Sequence, residues 1–152
     1  MQIANFTHSH IVQAQALAKQ NYKEERGFVT ALPQIDSMPD LIEFADNNMG
    51  VAAFENCEMV GFMCAYSVFD DAFGTTGVKG TWSPLHAHAA VGDKEKIYKR
   101  LYQAAAEKWV AAGAVSHAIT LYAHEKDALD SFFTYGFGLR CVDAIRAIDD
   151  VE

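Results

Sequence analysis

The stretch SPLHAHAAVGDKEKIYKRLY, residues 83–102, gathers the groups of this chain best suited to proton transfer and anion binding. His86 and His88 are separated by one residue, so on an extended strand both imidazoles leave the same side. Histidine titrates near neutral pH, which makes either one a candidate general base. A few positions on, Lys94, Lys96, Lys99 and Arg100 concentrate positive charge in a chain of formal net charge -8. A basic cluster at a helix start can receive a phosphate, because free N–H groups and the helix dipole favour an anion there. It can equally be the solvated face of an amphipathic helix.

Other chemistries are less well supported. Two imidazoles in an HxH pair can face one metal ion, but no HExxH or CxxC supplies further ligands, so no metal site is expected. Cys57, Cys64 and Cys141 are odd in number and widely spaced, which argues against a disulfide framework and for buried free thiols. His117, in an apolar run, reads as a hydrogen-bonded core residue.

Regular elements must position these groups. MQIANFT alternates as a short strand does, and Ile11, Ala14, Ala18 and Tyr22 then form a helical stripe ending near Gly27. Ser37, Pro39 and Asp40 ahead of Leu41, Ile42, Phe44 and Ala45 signal a second, short helix. GVAAFENCEMVGFMCAYSVF predicts two strands around a turn at residues 55–57. Residues 77–90 predict another strand, in which Pro84, lacking an N–H, marks a bulge, an edge or a splay point.

The next helix carries Ile97, Tyr98, Leu101, Tyr102, Ala105 and Trp109 on its apolar face and ends at Gly113. AVSHAITLYA then predicts a strand, DALDSFFTY a helix and GLRCVDAIRAI a final strand. The order β-α-α-β-β-β-α-β-α-β defines a mixed α/β fold.

At 152 residues the chain suits one domain over 1–152, and 51% hydrophobic with 21% charged residues excludes a disordered polymer. The apolar run 59–69 is too short to span a bilayer, so no membrane association is expected. The N-terminus lacks the basic start and apolar core of a secretory signal, which predicts a cytoplasmic protein. Net acidity disfavours nucleic acid and suits a cationic partner.

This order, with FENCEMVGF in the hairpin and the ending ALDSFFTYGF, resembles the GNAT superfamily of acyl-CoA-dependent N-acetyltransferases. The resemblance covers essentially the whole chain and implies a mostly antiparallel central sheet with a splayed strand pair. It further implies direct acetyl transfer from acetyl-CoA to an amine of a small molecule or peptide, without a covalent enzyme intermediate. It leaves homodimerisation open, and a domain of this fold that no longer acetylates but binds a ligand or partner is the alternative.

In that family a [RQ]xxGx[GA] motif brings a helix start against the CoA pyrophosphate. Counting back from Leu101, the matching places hold Asp93, Lys96 and Tyr98, none of them the family residue. Asp93 is a good N-cap whose carboxylate competes for the same N–H groups. The resemblance still assigns cofactor contacts to His88, Ala90, Val91, Gly92, Lys94, Lys96, Tyr98 and Lys99, with the backbone of His88 facing the acetyl group. The family's general acid, a tyrosine, matches Phe132, which has no proton to give. Tyr135 and Tyr98 are the replacements on hand, with His86 or His88 as base.

Overall fold

The structure is a computed structural model and describes residues 1–148. Strand β1 (Gln2–Asn5) pairs antiparallel with β2 (Val51–Glu55), and β2 pairs antiparallel with β3 (Glu58–Met63). The β2–β3 turn places Asn56 and Cys57 at φ 50° and 67°, the left-handed pair that a two-residue hairpin requires. Cys57 is therefore exposed in a turn, and only Cys64 is the buried thiol expected from sequence.

Pairing alternates sides along this sheet, and each face takes its own helix. Ala52, Phe62 and Ala89 face one cluster with Ala14 and Ala18 of α1 (Ile11–Phe28) and Phe44 of α2 (Ile42–Asp46). Val51, Ala53, Met63 and Ala90 face the other, with Ile97, Leu101, Ala105 and Trp109 of α3 (Lys94–Ala111). Gly61 makes the second contact close: a Cβ there would lie 2.7 Å from Ile97 Cγ2 and 3.1 Å from Leu101 Cδ1. Trp109 seals the far end, its indole N–H donating to Met49 O at 2.8 Å.

The strand expected over residues 77–90 is broken. Its first part, β4 (Gly80–Ser83), runs parallel to β6 (Ser116–Ile119), and its second, β5 (His88–Ala90), joins β3 antiparallel. Between them Pro84 leads into a single 3-10 turn, Leu85–Ala87. The break follows from proline chemistry, since Pro84 has no N–H for a ladder. The result is a four-stranded sheet, β1-β2-β3-β5, and a two-stranded one, β4-β6. β6 follows β4 as far as the Thr120 N to Ser83 O bond at 3.0 Å, and beyond it the central strand goes with β3.

Helix α4 (Lys126–Thr134) packs on α3, and Gly113 and Gly136 after these helices take φ 95° and 86°. The expected final strand is absent: residues 138–148 form no ladder, and Cys141 is exposed with them. Leu139, Val142, Ile145 and Ile148 all face solvent. Their spacing of three explains the failure, because a strand sends alternate residues to opposite faces. Among the described residues no helix is long and apolar enough to cross a membrane.

Candidate functional site

Where β5 and β6 part, the gap is filled by side chains. His88, 2% exposed, spans it, with Nε2–H donating to Thr120 O at 2.8 Å. Its Nδ1 lies 3.2 Å from the Tyr98 hydroxyl, which is also 3.1 Å from Glu125 Oε1. Burial, with a smaller contribution from His86, pushes the His88 imidazole down to about 4 against the Thr120 bond. It is therefore neutral at pH 7 with one N–H, already committed to Thr120. Burial first, and then Glu125, pushes the Tyr98 phenol well up, so it keeps its proton.

Tyr98 is wholly buried at the place where the resemblance calls for glycine or alanine. Its ring meets Phe132 edge-on at 5.7 Å, so the position of the family's acidic tyrosine is core here. Glu125 Oε1 also accepts from Asn21 Nδ2 at 3.0 Å, and Lys94 Nζ stands 3.5 Å away. Lys94 is held more tightly by Glu24 Oε2 at 2.7 Å. Burial raises the Glu125 carboxyl, opposed by Lys94 and by the Tyr98 hydrogen bond. Glu24 is pushed up by burial but pulled further down, below its ordinary value, by Lys94.

Outside this network lies a cavity of about 280 Å³ between the end of α1 and the starts of α3 and α4. Glu24, Glu25, Phe28, Lys94, His124 and Asp127 stand on its wall. Glu25 grips the loop after β6, accepting from the His124 backbone at 3.2 Å and meeting its Nδ1 at 2.9 Å. Phe28 stacks on that imidazole with centroids 4.7 Å apart.

The two sequence candidates for a base do not share a side. The 3-10 turn at Leu85–Ala87 replaces the extended backbone on which that expectation rested. His86 turns to Phe44, 5.9 Å away, and His88 to Tyr98 on the α3 side. Burial also lowers the His86 imidazole. Tyr135 lies elsewhere, half-exposed over α3, with its ring 4.9 Å from Tyr102 and its hydroxyl donating to Lys99 O.

Of the expected cofactor contacts, Gly92 (φ 83°) and Lys94 reach the cavity. Ala90 is core and pairs with Gly61, and the Val91 amide donates to Val60 O. Lys96 is exposed, Lys99 pairs with Glu95, and the Lys96 amide is capped by Asp93 Oδ1 at 3.2 Å. No three side chains among the described residues group to hold a metal ion. Asn21, Glu25 and Glu125 escaped the sequence reading. A signal for the first two existed: continuing the stripe from Ala14 and Ala18 by two turns lands on Asn21 and then Glu25, polar residues at core positions.

No family model matches the sequence, and no curated protein does. Solved structures do match over the full length. The Brucella melitensis biovar Abortus 2308 ribosomal-protein-alanine N-acetyltransferase superposes with a TM-score of 0.63 at 14% identity, over 97% of this chain and 100% of that one. Aminoglycoside N-acetyltransferase AAC(6')-Iy in complex with CoA gives 0.62 at 13%, over 97% and 94%. The wild-type Thermus thermophilus protein TTHA1254 gives 0.63 at 16%, over 100% of both. The chain thus has the GNAT acetyltransferase fold, a mixed α/β architecture around an antiparallel sheet.

Proposed function

We propose that this chain is a GNAT-fold binding unit in which the usual acetyl-CoA cleft is closed by its own side chains. The observation that carries this reading is Tyr98. Its ring is fully buried beside the strand gap, and its hydroxyl sits between His88 and Glu125. Opening a passage would expose a buried aromatic side chain and leave a buried carboxylate short of donors, each of which costs free energy. Charge argues the same way. A diphosphate at the start of α3 would meet Asp93 on the Lys96 amide and Glu125 behind it, while Lys94 is engaged by Glu24.

A second reading keeps the fold's chemistry: acetyl transfer from acetyl-CoA to a small-molecule or peptidyl amine. The divergence of β5 from β6 at Pro84 favours it, because the resemblance places the acetyl group at such a splay. The neighbours are named for ribosomal-protein alanine and aminoglycoside acetylation, which supports an amine as acceptor class. On this reading Lys94 leaves Glu24 for phosphate, and a neutral imidazole, His86 or His88, takes the ammonium proton.

Isothermal titration with acetyl-CoA separates the two. The closed-cleft reading expects no saturable heat up to millimolar cofactor. Saturable binding, followed by single-turnover acetylation of an amine panel, would replace it with the second reading.

A further inference from the structure

Strand β6 is incomplete as a sheet element. Among the described residues it pairs with β4 alone, and Ser116–Ile119 are all half-buried where a central strand would be dry. Its other edge therefore presents unpaired N–H and C=O groups, the part of a sheet that takes up another strand. An apolar groove continues from that edge along the outside of α3, formed by Tyr102, Ala106 and Val110 with Tyr135 after α4. Tyr102 joins the two features, its ring 5.9 Å from His117 of β6 and 4.9 Å from Tyr135.

The same chain carries a segment that is left uncovered. Residues 138–148 are all exposed, although Leu139, Val142, Ile145 and Ile148 are large and apolar. As a strand on a single molecule the segment would bury Leu139 and Ile145 and leave Val142 and Ile148 in water, since alternate residues face opposite ways. A strand covered on both faces, as one between two molecules is, buries all four.

The segment does not turn back along its own β6. Phe137 is anchored there, with the Tyr102 and His117 rings 5.4 and 5.7 Å away. Arg140 already lies 5.7 Å over Phe73, whose ring reaches Gly80, where β4 and β6 begin. The chain thus passes off the end of this sheet and leaves the β6 edge to a second molecule. Charge favours another copy as that molecule: the segment has Arg140 and Arg146 against Asp143, a net positive piece of a chain of formal net charge -8, and Glu107 stands in the groove. Size agrees. On each protomer, eleven segment residues given and β6 with its groove received approach the roughly 20 residues a side of a stable interface.

We propose that two copies of this chain associate about a two-fold axis by exchanging residues 138–148, each segment lying along the other's β6 with its apolar side chains over the groove at Tyr102 and Val110. A two-fold exchange uses the same pair of surfaces on both protomers, so it closes as a dimer rather than a fibre. It is independent of whether acetyl-CoA binds.

Sedimentation equilibrium of the purified full chain tests the exchange, and a dimer is expected. Ile145→Asp in the segment and Val110→Lys in the groove should each raise the dissociation constant about a hundredfold or more, because each buries an unpaired charge in an apolar contact. Both positions are exposed in the single chain, so the circular dichroism spectrum should be unchanged. Val12→Asp, also exposed but on α1, should leave the dimer intact. A wild-type chain that stays monomeric at its highest soluble concentration overturns the proposal. So does a dimer that survives either Ile145→Asp or Val110→Lys, because the exchange needs both surfaces. Equal loss with Val12→Asp overturns it as well, by showing non-specific association.

Discussion

Two buried regions meet on α3 and are stabilised in different ways. Along its middle and end, Ile97, Leu101, Ala105 and Trp109 lie on β2 and β3 as a dry apolar contact with Gly61 beneath. At its start, Tyr98 is equally buried, but its hydroxyl meets Glu125, which in turn holds Asn21 and Lys94, and, across the strand gap, His88. The first region depends on volume and shape, with one polar bond at its end, from the Trp109 indole to Met49 O. The second stands only while each buried donor has an acceptor, because an orphaned polar group costs more than the bond itself yields. Among the described residues, the polar region also holds a buried acceptor without a partner, Glu125 Oε2.

The sharpest contrast should come from Leu101→Ala, which leaves a cavity in the dry contact and should lower unfolding free energy by about 2–5 kcal/mol in urea titrations. A small loss would mean that the contact relaxes and is looser than Gly61 suggests. Acid should then act on the polar region through His88, alongside His117 of β6, whose imidazole burial pushes down to about 3. The His88 pKa is depressed to about 4 from 6.5, so between these values the unfolded chain binds the extra proton and stability falls as pH falls. From pH 6.5 to 5 this amounts to about 2 kcal/mol at 1.4 kcal/mol per pH unit. A His88→Gln variant should lose that part of the pH slope whatever its stability at pH 7, and an unchanged slope would show that His88 is not the titrating group.

Tyr98→Phe keeps the ring and removes the hydroxyl, taking a donated hydrogen bond from the buried Glu125 carboxylate at a cost of about 1–3 kcal/mol. If it stabilises the chain instead, the network is strained and the contrast fails. At the weak end, Lys99→Ala removes an exposed pair with Glu95 and should leave the urea midpoint essentially unchanged. A larger effect would place α3's outer face in the energetics after all.

Periodicity made the dry region legible before any coordinates. Ile97, Leu101, Ala105 and Trp109 recur at helical spacing, and VGF marks the strand they cover. Pro84 likewise announced its break, although not that the halves would join different sheets. The polar region was illegible for a physical reason. Asn21, Lys94 and Glu125 are distant in sequence, and a buried polar side chain looks like a surface one until its partner is known. The same blindness made residues 138–148 resemble a strand, since composition signals β propensity while pairing needs an edge and a period of two.

The His88 bond to Thr120 O also provides an observable. An imidazole N–H that is buried and hydrogen-bonded exchanges slowly with water, so it persists as a downfield proton resonance in solution. Because the bond bridges β5 and β6, that resonance reports the width of the gap between them: a ligand that parts the strands erases it, and one that binds outside leaves it in place.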